Sequence, residues 1–212
     1  MLNHEEIWKS LSALCSIRFS YNGQADEIKD YSSIERIEPQ GICICSTEYE
    51  WDQIRFTAKK EYFGVPNNTN LLIFRHTTEP FSNCDFDLES SMPIPAEGSV
   101  WEVEEVIEQE NNSCGLLLKH KDGFRIILAE TSQVTSVSLR VDEKRKGTDR
   151  FYHLTAFEEC PIRIEKYISM HTDEEEDYIE KAFLECRNAS KIRFDDLKGT
   201  GAWEPSKETV IG

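Results

Sequence analysis

The sequence predicts an α+β protein made mostly of antiparallel strands, about ten of them and short, with a helix near each end. Two observations carry this reading. Apolar residues alternate with polar ones in short runs separated by turn-forming residues, and helical spacing of apolar residues is found only near the two ends. A chain of 212 residues that is 39% hydrophobic and 10% aromatic can also bury a sizeable core. So many antiparallel strands must either close into a barrel or pack as two sheets.

At the N-terminal end, Asn3 can cap a helix, Glu6 can complete the capping box and Leu2 can staple against Ile7, which predicts a helix over 4–15. Ile7, Leu11 and Leu14 share its apolar face. Ile17, Phe19 and Tyr21 then alternate with polar residues up to the turn dipeptide Asn22-Gly23. Strands are expected at Ile34 to Ile37, Ile42 to Cys45, Gln53 to Thr57 and Leu71 to Phe74.

Between Ser90 and Ser99 two prolines and a glycine interrupt regular structure, marking an internal boundary. Beyond it, Val100 to Ile107, Leu116 to His120, Phe124 to Leu128 and Val137 to Val141 form a meander, with Asp122-Gly123 turning the central hairpin. Lys144-Arg145-Lys146-Gly147 reads as a solvated basic loop, and strands return at Phe151 to Leu154 and Ile162 to Ile164. Thr172, followed by Asp173, Glu174, Glu175, Glu176 and Asp177, predicts a capped helix start with Tyr178, Ile179, Ala182, Phe183 and Cys186 as its buried stripe. The chain reads as one β-rich domain over 1–198 with an irregular tail over 199–212, in which Trp203 is a candidate anchor.

The charge is strongly acidic, with 24 Lys and Arg against 40 Asp and Glu, a net −16. The imbalance is spread evenly along the chain, so it belongs to the folded surface. Such a surface repels phosphates and anionic lipids and speeds encounter with basic partners, which disfavours direct nucleic-acid binding. The first residues lack a secretory signal, no run spans a membrane, and seven cysteines without paired spacing suit a reducing compartment. A soluble cytoplasmic protein is expected.

Several constellations bear on chemistry. Asn83, Asp85, Asp87 and Glu89 recur at every second residue and share one face if extended, but the spacing fails as a calcium loop and reads as a solvated acidic edge. Cys43 and Cys45 share a strand face and read as core. The five histidines are dispersed; His76 and His153, each beside aromatic or apolar residues, are the two to inspect for a nearby cysteine or carboxylate. Glu102, Glu104 and Glu108 fall on one strand face with Val106, opposite Trp101, Val103, Glu105 and Ile107. They line a lumen if the protein is a barrel and meet water otherwise.

No nucleophile elbow, phosphate loop or dinucleotide fingerprint is present, and no cofactor or metal is implied. The reading that follows is a non-catalytic binding protein of the inhibitor or immunity type. Its acidic surface, with Glu102, Glu104, Glu108, Asp173, Glu174, Glu176 and Asp177 as contacts, engages a basic protein partner. Two alternatives are a barrel enclosing an apolar or aromatic ligand, and a small enzyme whose cleft holds a histidine near a cysteine or carboxylate.

Overall fold

A computed structural model describes residues 16–20, 29–37, 43–51, 54–65, 68–81, 83–92, 95, 98–110, 112–136, 141–158 and 160–198. The helix expected over 4–15, the turn at Asn22-Gly23, the strand residues 137–140 and the tail with Trp203 lie outside the described residues. Twelve strands are described: β1 (Ser16–Ser20), β2 (Lys29–Ile37), β3 (Cys43–Trp51), β4 (Ile54–Val65), β5 (Asn68–Pro80), β6 (Cys84–Ser91), β7 (Trp101–Gln109), β8 (Ser113–His120), β9 (Arg125–Ser136), β10 (Val141–Lys146), β11 (Asp149–Ala156) and β12 (Ile162–Thr172). Two helices follow, α1 (Tyr178–Ala189) and the short α2 (Phe194–Lys198).

The strands form two antiparallel sheets. The smaller has the order β1-β6-β11-β10 and the larger the order β2-β3-β4-β5-β12-β9-β8-β7. Among the described residues neither order returns to its start and no closed barrel forms, so of the two expected arrangements these strands follow the two-sheet one. A barrel would pair β7 with β2, whereas β7 pairs with β8 and β2 with β3.

Alternation assigns the faces of the larger sheet. Cys114, Leu116, Leu118, Ile126, Leu128 and Met170 cluster with Met92, just after β6, on the side that meets the smaller sheet. On the other side Leu117, Ile127 and Ala129 pack on Ala182, Phe183 and Cys186 of α1, and Leu71, Ile73 and Tyr167 pack on Phe194 and Leu197 of α2. Central strands covered on both faces carry long apolar runs, as β8 does in Cys114-Gly115-Leu116-Leu117-Leu118. The layers are therefore small sheet, large sheet, helices.

Between the two sheets lies a polar layer. Glu130 on β9 is 1% exposed and sits 3.3 Å from Lys166 Nζ on β12 and 3.7 Å from Arg150 Nη1 on β11. Ser132 donates to Glu130 Oε1 at 2.6 Å, Lys166 to the Ser91 carbonyl at 3.0 Å, and Arg150 to the Asn112 carbonyl at 2.7 Å. Burial pushes the Glu130 carboxyl up, but Lys166 and Arg150 outweigh it and hold it below its usual range, so Glu130 is ionised.

Several sequence expectations change. The hairpin at 116–128 forms as expected, with Gly123 at φ 98 donating to the His120 carbonyl and Trp101 packed edge-on to His120 and Phe124. The basic island is strand rather than loop: Lys144, Arg145 and Lys146 pair with Phe151, Arg150 and Asp149, because Gly147 at φ 62 lets a tight turn close directly behind them. Thr172 does not cap a helix. It remains in the ladder opposite Ile126, and Asp173 N–H donates to the Arg125 carbonyl, so the strand runs on and the helix begins only after Asp177, at φ 55. Ser90 and Ser91, placed in the interrupted segment by the sequence, complete β6.

Gly115 leaves room for α1. A Cβ there would lie 2.8 Å from Phe183 Cζ and 3.2 Å from the Leu128 carbonyl oxygen. Gly115→Ala is expected to destabilise the protein by about 1–3 kcal/mol, and adding Phe183→Leu to recover part of that loss, both read by urea unfolding. Equal stability of wild type and Gly115→Ala would show that α1 is not packed this closely.

Candidate functional site

The helix side of the large sheet, at the end where β12 leaves for α1, carries the candidate site. β7 is the last strand of the large sheet, and Glu102, Glu104, Glu105, Val106 and Glu108 are all exposed. The expected grouping of these carboxylates is corrected by a bulge. Val103 pairs with Leu118 and Glu105 with Leu117, leaving Glu104 as the extra residue. An inserted residue reverses the faces of all that follow. Glu102, opposite Lys119, and Glu105, opposite Leu117, therefore share the helix side, while Glu108, opposite the inward Cys114, shares the other side with Val106. Trp101 and Val103 face the smaller sheet and Ile107 packs with the α1 cluster, so they too are divided. The lumen expected for a barrel has no counterpart.

Arg125, at the start of β9, joins two acidic stretches that are remote in sequence. Its guanidinium donates to both oxygens of Glu104, from Nε at 2.5 Å and from Nη2 at 2.9 Å. Its backbone N–H donates to Asp173 Oδ2 at 3.0 Å. The hydrogen bond from Arg125 holds the Glu104 carboxyl below its usual range. Glu102, Glu104 and Glu105 thereby meet Asp173 and the turn that follows it, where Glu174, Glu176 and Asp177 are exposed. Glu108 stays apart.

Beside this patch lies an open groove of about 460 Å³, lined by Val65, Leu71, Leu184 and Ile192 among apolar groups and by Asn68 and Lys181 among polar ones. At the groove a polar latch ties four elements together. His171 Nδ1 lies 3.0 Å from both oxygens of Glu175, and Nε2 lies 3.1 Å from Glu185 Oε2. Ser169 also donates to Glu185 Oε2, and Asn68 donates to Oε1 at 2.6 Å. Carboxylates at both ring nitrogens require both to carry protons, so His171 is an imidazolium here. Burial pulls its pKa down, but the bonds to Glu185 and Glu175 outweigh this and raise it. Burial pushes Glu185 up, and the bonds from His171, Ser169 and Asn68 bring it below its usual range.

A cleft holding a histidine near carboxylates is the feature expected of a small enzyme, yet the connectivity does not suit a serine activated by this histidine. Ser169 donates to a carboxylate rather than to the imidazole. The imidazole has no nitrogen left to accept a proton, and a nucleophilic serine needs such a base. The constellation is suited to fastening the turn and α1 to the sheet.

The other singled-out residues lie elsewhere. His76 is fully buried and bonds to Thr78 Oγ1 at 3.0 Å; burial, aided by Lys60, lowers its pKa to about 3, so it is neutral. His153 and Asp87 meet across β11 and β6 at 2.7 Å on the outer face of the smaller sheet. Asp85 is exposed on that same face, and β6 lies between β1 and β11, so this acidic row is a face rather than the expected edge. Cys43 and Cys45 are on β3, and their side chains lie outside the described residues. No group of metal-ligating side chains occurs among the described residues. No helix among them is long and apolar enough to cross a membrane.

No protein-family profile matches the sequence, and no curated protein sequence matches it. Among solved structures the chain is similar in fold to "Putative kojibiose phosphorylase from human microbiome", at 16% identity and a TM-score of 0.73 over 87% of this chain. Two heparinase III gene-product structures match at 13% and 12% identity with TM-scores of 0.44 and 0.41 over 73% of the chain. The chain spans 26% of the length of the first structure and 23% of the other two.

The latch has a defined pH window. The folded pKa of His171 is raised, so its contribution to stability is complete below the ordinary value of 6.5 and is lost as pH rises through the folded value. The folded pKa of Glu185 is lowered, so its contribution is complete above 4.5 and is lost as pH falls through its folded value. The gap in urea midpoint between wild type and His171→Gln is expected to be widest between pH 4.5 and 6.5 and to narrow on the alkaline side. A gap that widens above that window would contradict the charged latch.

Proposed function

We propose that this chain is a non-catalytic binding module that engages a basic protein through the helix-side acidic patch. The observation that carries this reading is Arg125, which draws Glu104 of β7 and Asp173 of the β12–α1 turn into one surface. Exposed carboxylates concentrated in one place raise the encounter rate with a cationic partner and fix its orientation. The adjoining groove, with Leu184 53% and Ile192 47% exposed, gives such a partner a site for an apolar anchor, which supplies the desolvated centre that charge alone lacks. A basic enzyme, held and inhibited by this patch, is one partner of the required chemistry. The latch supports the non-catalytic part of the reading, because His171 is committed to two carboxylates.

A cytoplasmic setting goes with this proposal. Cys114 and Cys186 are buried thiols, and burial raises the Cys114 pKa to about 11, as suits unreactive packing groups in a reducing compartment.

A second reading draws on the fold. A β-sandwich matching 26% of a kojibiose phosphorylase structure suits an accessory module that works beside a carbohydrate-active catalytic unit. On this reading the purified chain shows no phosphorolysis of kojibiose by itself and binds a separate catalytic protein.

The first reading turns on the acidic surface. With a partner captured from native host lysate, Glu102→Lys combined with Glu105→Lys is expected to weaken its retention at least tenfold. Glu108→Lys, on the opposite face, and Asp85→Lys, on the outer face of the smaller sheet, are expected to leave it unchanged. Equal retention by all of these variants, or retention unaffected by salt, would remove the acidic patch as the interface.

A further inference from the structure

Among the described residues, the polar layer between the sheets holds two cations against one carboxylate. Lys166, Arg150 and Glu130 are 0%, 2% and 1% exposed, and the Cys114 thiol beside Arg150 is protonated, so the layer carries a surplus positive charge away from water. A surplus buried charge is costly unless a counter-charge sits within it.

The hydrogen-bond inventory leaves donors open in the same layer. Among the described residues, Arg150 Nη1 and Ser90 Oγ are buried and have no hydrogen-bond partner. Lys166 makes one hydrogen bond, to the Ser91 carbonyl, besides its 3.3 Å ion-pair contact with Glu130 Oε2. Glu130 Oε2 is the matching unbonded acceptor, and Ser132 and the cations already surround this carboxylate. Arg150 Nη1 is thus an open donor that can only donate, and Ser90 Oγ is a hydroxyl that can donate beside it. Arg150 and Ser90 are opposed in register on neighbouring strands, and both project from the smaller sheet toward the face of the larger one that carries Glu130 and Lys166.

We propose that this layer is a binding site for one small monovalent anion of the halide class, held by Arg150, Lys166 and Ser90 between the two sheets. An anion supplies both the missing negative charge and the missing acceptor, whereas water supplies only the acceptor. It also links donors from both sheets, so its binding stabilises the folded sandwich in proportion to the logarithm of its concentration once the site saturates. The protein's net −16 makes the effect diagnostic, because such a surface repels anions and offers little non-specific halide binding.

The test is thermal unfolding at constant ionic strength, with chloride replaced stepwise by gluconate, alongside chlorine NMR of the folded protein. For wild type, the midpoint is expected to rise with chloride and the chlorine line to broaden, with bromide narrowing it by competition. Lys166→Met leaves Arg150 and Glu130 as a balanced pair and is expected to lose the chloride dependence. Ser90→Ala removes a single donor and is expected to weaken the apparent chloride affinity several-fold while the fold is kept. Midpoints that are the same in chloride and gluconate, with no line broadening, overturn the proposal and leave the layer hydrated by water alone. A chloride dependence retained in full by Lys166→Met or by Ser90→Ala also overturns it, since the anion would then bind elsewhere.

Discussion

The ionised carboxylate of Glu130 is the constraint around which the two sheets are arranged. A buried carboxylate is tolerated only with cations and hydrogen bonds close by, and removing a partner from such a pair costs about 3–5 kcal/mol. Its partners come from three places: Lys166 on the neighbouring strand β12, Ser132 two residues on, and Arg150 from the opposite sheet. Strand register follows from this. If β11 slipped by one residue against β6, Arg150 would turn to solvent and Phe151 would turn inward, leaving Glu130 with Lys166 as its one remaining cation. The apolar clusters on either side supply most of the favourable burial, but they tolerate exchange of one aliphatic contact for another. The charged layer does not, and so it specifies which strands face each other.

The helix layer is fixed by a different set of contacts. Because β8 and the first half of β9 are apolar on both faces, the side away from the smaller sheet must be covered, and α1 does this with Ala182, Phe183 and Cys186. Cys186 donates to the Ala129 carbonyl at 3.0 Å, and Gln133 donates to the Ser190 carbonyl at the helix end. At the other end the sequence offers no ordinary cap: Asp177 makes no side-chain cap bond. The latch through His171, Glu175 and Glu185 instead fastens the helix and the turn before it to the sheet, and so sets where the acidic turn stands. On the inner strand β5 Arg75 repeats the theme, stacking 3.5 Å over the Phe194 ring while it bonds Glu165 at 2.9 Å, which seats α2.

Much of this was legible in the residues. Alternation located the three strands β7, β8 and β9, Asp122-Gly123 located their central turn, and the stripe of α1 was legible except for Ala189, because period and side-chain type agreed, whereas the fourth expected strand did not follow, since Val141 opens β10 in the other sheet. What failed depended on pairing partners that a linear pattern does not hold. The bulge at Glu104 leaves no mark in its own strand, since the extra residue is defined only against Leu117 and Leu118. The basic island looked like a loop because its charge was conspicuous and its turn glycine, Gly147, coloured the three strand residues before it. His171 was passed over because its partners come from the turn and from α1, although its spacing from Glu175, four residues on, was visible. The buried charges did leave a signal. Lys166 falls in phase with Ile162, Ile164, Ile168 and Met170, Glu130 with Ile126 and Leu128, and Arg150 with Tyr152 and Leu154. A charged residue in phase with an apolar face belongs to the core and needs a partner, and three such residues on separate strands point to one another.

The acidity of the chain thus divides into two physical roles. Exposed carboxylates at the rim of the large sheet meet water, where a charge more than about 8 Å away is largely screened at physiological salt. They set the field that a partner encounters and contribute little to the interior. Glu130 works where screening is weak and each missing or surplus charge is felt at full strength. The many acids outside cannot therefore replace the one inside. Nor can they neutralise the second cation beside it, although the protein as a whole carries a large negative charge. Net charge describes how this molecule meets others, whereas the local balance of two cations and one carboxylate governs how its two sheets hold together.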